Sequence, residues 1–297
     1  MFLLGAFSSH LSAQTLLVAN FGNSTVSQYN ATTGAVMNAS FISGLGNPRG
    51  LALFGSDLLV TNFGTNTVGQ YNATTGAVIN VSFISGLSSP RGLVISGSDI
   101  FISNAGDGTV SHYNATTGAL INASFITGLG TPRDLKIFGA DLLVVDAATN
   151  TVGRYNATTG ALINASFLSG LSDPIDLAIF GADLFVTNYG TNSVGQYNAT
   201  TGTVINASFL SGLGGPIGLA ISGTDLFVVN NDTNSVGQYS ATTGAVINAS
   251  FLSGLSDPFG IVFVPTAIPE PSTYAALLDG LAVLGLKWFV RRRRRAP

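Results

Sequence analysis

Several residue types are rare in this chain. Its 297 residues include no cysteine, one glutamate and two lysines, and only 8% of them are charged. The lack of cysteine excludes disulfides, thiol catalysis and cysteine-ligated metal sites. Glutamate and lysine are good helix formers, so their scarcity disfavours a helical protein. Residues 14–264 contain twelve aspartates against four arginines and one lysine, and this excess of negative charge argues against binding to nucleic acid.

The abundant residues are typical of strands and turns. Glycine occurs 37 times, and Asn, Thr, Ser, Val, Ile and Phe take the place of the helix formers. The string "YNATTG", with "YSATTG" in the last copy, recurs every 42 residues. Its copies begin at Tyr29, Tyr71, Tyr113, Tyr155, Tyr197 and Tyr239. Six copies at one interval predict six structural repeats.

One repeat reads "PRGLALFGSDLLVTNFGTNTVGQYNATTGAVINVSFISGLSS". It contains four strand-like runs, "GLALF", "DLLVTN", "TVGQYN" and "AVINVSF", joined by turn-rich connections. The first two runs are mostly apolar, the third is mixed, and in the fourth Ile79, Val81 and Phe83 alternate with a second set that we expect to face water. A four-stranded sheet that is driest at one edge and wettest at the other is typical of a propeller blade.

The two ends of the repeat region predict a closed ring. The first unit lacks its first strand, because "LLVANF" at residue 16 already corresponds to the second run. The last copy of the first run, "FGIVFV" at residues 259–264, has no further strand after it. Together these fragments complete a sixth blade and remove a free sheet edge. We therefore predict an all-β fold, a six-bladed β-propeller over residues 14–264.

The repeat resembles a known class. Its pattern of P-x-G-L-A, D-L-x-V-T-N, N-x-V-G-Q-Y-N and T-G is similar to the NHL and YVTN repeats of β-propellers. The resemblance covers about residues 16–264 and implies the propeller fold. It leaves function open, because such repeats occur in binding proteins, sensors and some enzymes.

The termini do not follow the repeat. Residues 1–13 have a short apolar run and a small-residue site, which predicts a secretory signal peptide, with a disordered arm as the alternative. Residues 265–273 form a linker, residues 274–290 are apolar enough for a short transmembrane helix, and residues 291–297 are a basic tail. Basic clusters stay in the cytoplasm, so the propeller would be exported. The alternative is a helix packed on the propeller with a solvated tail.

This C-terminal segment resembles a PEP-CTERM sorting signal. The resemblance lies in "PEPST", followed by the apolar stretch and a row of arginines. It implies an exosortase, a membrane protease, as partner, cleavage near the motif, and release to the cell surface or extracellular matrix after a transient stay in the inner membrane. The processing motif is Pro269, Glu270 and Pro271. The residues that would hold the tail in the membrane are Arg291, Arg292, Arg293, Arg294 and Arg295.

The repeats contain few candidates for catalysis. His112 replaces the Gln70 of its neighbour repeat, which indicates a satisfied polar substitution. The aspartates that recur beside a Gly turn, such as Asp57, are expected to form turns. We therefore expect no catalytic residue, metal or cofactor. The alternative is a secreted lyase or hydrolase, because related propellers include streptogramin lyase and gluconolactonase-like enzymes, and converging His or acidic groups at the channel would favour it.

One position varies between repeats in a suggestive way. The residue after the periodic proline is Arg49, Arg91 and Arg133 in three consecutive copies. In the other three it is Ile175, Ile217 and Phe259, and Asp134, Lys136 and Asp176 add charge nearby. This position begins the innermost strand, near one mouth of the channel. Either the repeats have drifted, or the three arginines bind a ligand, for which anionic polysaccharide is the candidate. The expected function is that of an exported, non-enzymatic binding or structural component.

Overall fold

A computed structural model describes residues 14–265 of the chain. The predicted signal peptide, the Pro-Glu-Pro motif, the predicted transmembrane helix and the basic tail lie outside the described residues. Gln14–Val264 form one compact unit. Over the range 14–265, no helix is long and apolar enough to cross a membrane.

The described region contains 24 strands and a 3-10 turn at Tyr189–Thr191. The inner strands are β4 Pro48–Phe54, β8 Pro90–Ser96, β12 Pro132–Phe138, β16 Pro174–Phe180, β20 Pro216–Ser222 and β24 Pro258–Val264. The second strands are β1 Thr15–Asn20, β5 Asp57–Asn62, β9 Asp99–Asn104, β13 Asp141–Asp146, β17 Asp183–Asn188 and β21 Asp225–Asn230. The third strands are β2 Thr25–Asn30, β6 Thr67–Asn72, β10 Thr109–Asn114, β14 Thr151–Asn156, β18 Ser193–Asn198 and β22 Ser235–Ser240. The outer strands are β3 Val36–Ile42, β7 Val78–Ile84, β11 Leu120–Ile126, β15 Leu162–Leu168, β19 Val204–Leu210 and β23 Val246–Leu252.

These strands form six antiparallel four-stranded blades, so the predicted fold is confirmed. Blade 1 has the order β24-β1-β2-β3, and blades 2 to 6 follow in chain order from β4 to β23. The strand from the C-terminal end of the repeats pairs with β1 from Thr15 opposite Val264 to Val18 opposite Ile261. Each inner strand contacts the inner strands of both neighbouring blades, which closes the ring.

The hydrophobic core lies between the blades. The second strands are buried on both faces, because each strand is covered by a blade on either side; Leu58, Leu59 and Val60 have no exposed surface. One cluster joins Leu143 of β13 to Leu184 of β17, and five similar clusters occupy the other interfaces. The apolar content of the second run of each repeat is therefore accounted for by burial against two neighbours. The first run was expected to be the driest, but β4 is mostly half-buried, so that expectation was wrong; the inner strands border the pocket on the propeller axis.

The outer strand differs from the sequence expectation. Val78 to Ser82 are all exposed, and only Phe83 and Ile84 reach the core. Ile79 and Val81, which alternation placed on a buried face, are 51% and 59% exposed. The prediction of one dry face was wrong because the outer strand extends beyond the neighbouring blades, and only its last two residues are covered.

A glycine in the "ATTG" turn allows neighbouring blades to approach. Gly76 has φ +71°, and a Cβ built on it would lie 2.3 Å from the carbonyl oxygen of Phe41 in the preceding blade. No side chain fits in that space. By contrast, Gly86 has φ +75° but nothing within 4 Å of such a Cβ.

The closure predicts a sharp effect of truncation. A chain that ends after Asp257 loses β24, and with it the packing of Ile261, Phe263 and their neighbours in blade 1. Burial of each large apolar side chain contributes about 1.5–3 kcal/mol. We expect thermal unfolding to lose cooperativity, whereas a chain that ends after Val264 should retain it. Equal melting curves for the two truncations, measured by calorimetry, would show that the closure is not needed.

The two glycines form a matched pair for mutagenesis. Gly86→Ala introduces only the left-handed backbone strain, and we expect a loss of about 1 kcal/mol in the free energy of unfolding. Gly76→Ala adds the collision with the Phe41 carbonyl, and we expect about 3 kcal/mol or more. Urea denaturation of both variants measures the difference. Equal losses would contradict the close approach between blades.

Candidate functional site

The inner strands surround a pocket at the end of the ring where they begin. It is lined by the second residue of all six inner strands and by the third residue of most of them, and it contains about 390 Å³ of atom-free space including open solvent. The six residues at the second position are Arg49, Arg91, Arg133, Ile175, Ile217 and Phe259. The structure thus brings the three arginines together on consecutive blades, and the apolar residues complete the ring.

The backbone of the arginines is fixed by the preceding blade. Thr61 Oγ1 donates a hydrogen bond to the carbonyl oxygen of Arg91 at 2.6 Å, and the hydroxyl of Ser103 donates similarly to that of Arg133. Gly50 lies against the same Arg91 carbonyl, since a Cβ there would be 2.6 Å from the oxygen. The "PRG" sequence therefore combines a pocket side chain with a glycine that allows the next inner strand to approach.

Arg49 is enclosed by aromatic rings. Its guanidinium carbon lies 4.9 Å from the ring centre of Phe21, 4.3 Å from that of Phe63 and 4.4 Å from that of Phe259. Phe21 and Phe63 follow the second strands of blades 1 and 2, and Phe259 is in β24. A cation within about 6 Å of a ring face is attracted by the ring quadrupole. These contacts restrict the guanidinium to one place.

The other two arginines have different surroundings. Arg133 donates from Nη2 to Asp173 Oδ1 at 2.9 Å, an ion pair with a residue of the next blade's approach loop. Arg91 forms no ion pair within residues 14–265, and its one aromatic neighbour is Phe63 at 5.7 Å. Arg91 is therefore the least engaged of the three.

The arginine cluster is desolvated and short of partners. In the described part of the chain, the Nε atoms of Arg49, Arg91 and Arg133 are buried without a hydrogen-bond partner. Burial, followed by repulsion from the neighbouring arginines, lowers the pKa of Arg49 to about 9 and that of Arg91 to about 10. All three remain protonated at neutral pH. An anion in the pocket would relieve the repulsion between the guanidinium groups.

Acidic groups line the pocket beside Arg133, on blades 4 and 5. Lys136 Nζ lies 2.5 Å from Asp134 Oδ2 and 3.5 Å from Asp176 Oδ1. Asp176 also accepts hydrogen bonds from the backbone N–H groups of Leu177 and Leu219, each at 2.7 Å. Burial and the nearby Asp134 raise the pKa of Asp176. Burial opposes the charge on Lys136, but the two carboxylates outweigh it and raise the pKa of Lys136.

The histidine and the recurrent aspartates lie elsewhere in the blades. His112 is on β10, where it stacks on Phe101 and its Nε2 lies 2.9 Å from Asp99 Oδ1. In blade 2 the same place is held by Gln70, whose amide donates to Asp57 Oδ2 at 2.7 Å. These aspartates therefore connect the second and third strands, besides opening the strand after the Gly turn. No group of three or more His, Asp or Glu residues within 14–265 could hold a metal ion.

Sequence reasoning missed the residues that surround the arginines from the loops. Phe21, Phe63 and Asp173 were not singled out, although each contacts one of the arginines. A signal was present at the residue that follows each second strand. It reads Phe21, Phe63, Ala105, Ala147, Tyr189 and Asn231, and it varies with the same period as the arginine position.

Comparison with known proteins informs the fold. No protein-family model and no curated protein sequence matches this chain. A solved chain from a nidogen/laminin complex is 16% identical, with a TM-score of 0.70 over 86% of this chain and 100% of that one. A protein of unknown function from Bacteroides caccae is 14% identical, with a TM-score of 0.64 and the same coverage of 86% and 100%. Virginiamycin B lyase from Staphylococcus aureus is 14% identical, with a TM-score of 0.56 over 73% and 77% of the two chains. At these identities the likeness shows the propeller fold alone.

Proposed function

We propose that this protein is an exported, non-enzymatic propeller that binds anionic polysaccharide through the arginine-lined pocket. The observation that carries the proposal is the cluster of Arg49, Arg91 and Arg133, three half-buried cations of which one has an ion-pair partner in the described residues. Guanidinium groups offer paired donors suited to carboxylates, and acidic polysaccharides present carboxylates in series. The ligand would be held at the cell surface or in the extracellular matrix.

The other half of the pocket suits a sugar. Ile175, Ile217 and Phe259 complete the ring opposite the arginines. A pyranose has apolar C–H faces as well as polar edges, so one side of a uronic acid can pack on this wall while its carboxylate meets a guanidinium. Mixed pockets of this kind, largely apolar with a few convergent polar groups, are typical of sites for small ligands.

Sorting to the surface is the second part of the proposal. It is supported by the resemblance of the C-terminal segment to a PEP-CTERM signal, with Pro269, Glu270 and Pro271 as the processing motif. Arg291 to Arg295 would hold the unprocessed tail on the cytoplasmic side of the inner membrane. An exosortase-type protease is the partner that this proposal requires.

Replacement of the arginines tests the binding role. The triple variant Arg49→Ile, Arg91→Ile and Arg133→Ile copies the residue of blades 5 and 6, so the fold should persist. We expect its affinity for polygalacturonate or alginate, measured by titration calorimetry, to fall by about a hundredfold or more, because two or more charged hydrogen bonds are lost. Wild-type binding should also weaken with salt.

Arg154→Ile is the control. Arg154 is on the third strand β14, is paired with Asp141 of β13, and does not line the pocket. It should bind like the wild type. If the triple variant also binds like the wild type, or if the unmodified protein binds neither polymer, the proposed binding function is wrong and drift explains the arginines.

Intact-mass analysis tests the sorting role. In a host with the cognate exosortase, surface material should lack every residue after the Pro-Glu-Pro motif. A Glu270→Ala variant should keep its C-terminal segment and stay with the membrane fraction. Surface protein that retains Arg291 to Arg295 would refute processing at this motif.

A second candidate function is a secreted lyase or hydrolase. One observation favours it: Asp134 and Asp176 both line the pocket, and the pKa of Asp176 is raised, as it is for carboxyl groups that act as general acids. The fold is shared with a virginiamycin B lyase. The binding proposal is preferred because both carboxylates are already engaged by Lys136. New chain ends that accumulate in the polysaccharide incubations, and that disappear with Asp176→Asn, would establish the enzyme instead.

A further inference from the structure

The pocket is a closed ring and not a groove. Its lining residues come from the inner strands of all six blades, so the blades surround it all the way around the propeller axis. The ring has no gap, because β24 supplies the sixth inner strand. A ligand can therefore reach the arginines only along the propeller axis.

The pocket is also shallow. It is bounded by the second and third residues of inner strands that are seven residues long, for example Arg49 and Gly50 of β4. At about 3.3 Å per residue, this corresponds to a depth of roughly 7 Å. That depth is comparable to the size of one sugar unit.

An internal unit of a polysaccharide enters such a pocket less easily than a terminal unit does. It is bonded to the chain on both sides, and both continuations would have to leave through the same opening. A terminal unit has one continuation, which can leave along the axis while the terminal ring lies among the pocket residues. We infer that the pocket recognises the end of an acidic glycan chain, with Arg91 as the residue that takes the carboxylate of the terminal unit. This inference rests on the proposed function.

The different surroundings of the arginines explain the choice of Arg91. The guanidinium of Arg49 is enclosed by three phenylalanine rings, and that of Arg133 is paired with Asp173. Arg91 lies between them in the ring and forms no ion pair in the described region. Its neighbours on either side keep the local potential positive, while its own terminal N–H groups are free to form paired hydrogen bonds. Arg49 and Arg133 act as positioning residues.

Oligogalacturonates of defined length test the recognition of chain ends. Calorimetric titration of the full chain, from the dimer to the dodecamer, should give one protein per oligosaccharide at every length. Affinity per chain should stay constant within about threefold from the trimer onward, because each chain has one such end. Reduction of the reducing end with borohydride then identifies which end binds: loss of binding assigns the reducing end, and unchanged binding assigns the other.

Recognition of internal units gives a different result. The dodecamer has ten internal units and the trimer has one, so affinity per chain would rise about tenfold and several proteins would bind one long chain. That outcome overturns the inference but leaves the proposed binding function intact. If no oligomer or polymer binds, the proposed function itself fails.

Single variants test the role of Arg91. Arg91→Met should lower affinity for the trimer by about tenfold or more, with little change in melting temperature. Arg49→Met, the matched change on the neighbouring blade, should lower the melting temperature through its three ring contacts and lower affinity less. Arg91→Lys should recover part of the affinity, since it restores the charge but not the paired donors. Equal affinity losses in the two Met variants would refute the special role of Arg91.

Discussion

The antiparallel pairing of β1 with β24 is the contact on which the rest of the molecule depends. It joins strands separated by the full length of the repeats, from Thr15 opposite Val264 to Val18 opposite Ile261. Without it, blade 1 would have three strands and blades 1 and 6 would each expose an apolar face. With it, every blade lies between two others and every second strand is covered on both sides. The pocket has the same origin, because its wall is complete only when β24 contributes Phe259.

Each repeat keeps the residues that form the backbone of the ring and varies the residues that line the pocket. Within each inner strand the proline is kept and the next residue varies, so the backbone of the ring is constant while its lining changes from Arg to Ile or Phe. The following residue shows the same division. Gly50, Gly92, Gly218 and Gly260 leave no room for a Cβ against the next inner strand. Asp134 and Asp176 occupy that position in blades 4 and 5, and their carboxylates accept hydrogen bonds from the backbone of the following blade. The two aspartates therefore add negative charge to the ring at a position where their side chains also hydrogen-bond to the following blade.

The sequence was sufficient to predict the fold and the location of the arginines, because both follow from the 42-residue repeat. A spacing of 42 residues that persists over six copies places Arg49, Arg91 and Arg133 at equivalent points of a ring without any knowledge of coordinates. What it could not predict depends on contacts between repeats. The outer strand has an alternating pattern, yet Ile79 and Val81 are exposed because no neighbouring blade extends that far. The enclosure of Arg49 by Phe21, Phe63 and Phe259 joins three residues from different repeats. The ion pair of Arg133 with Asp173 also crosses between blades.

The charge distribution of the propeller affects the orientation in which a polyanion binds. Lys136 faces the two carboxylates of Asp134 and Asp176, and Arg133 is paired with Asp173, so in the described residues the positive charge without an ion-pair partner in the pocket is that of Arg49 and Arg91. The rest of the repeat region has an excess of aspartate. A polyanion therefore meets a repeat region of net negative charge and is attracted at one small place on its axis. An exposed charge acts over only about 8 Å at physiological ionic strength. A chain that lies across the face of the propeller would keep its other charges beside a repeat region with an excess of aspartate. A chain that points along the axis brings its terminal charge to the arginines and directs the remainder away from the protein, so the electrostatics favour the same approach that the closed wall of the pocket imposes.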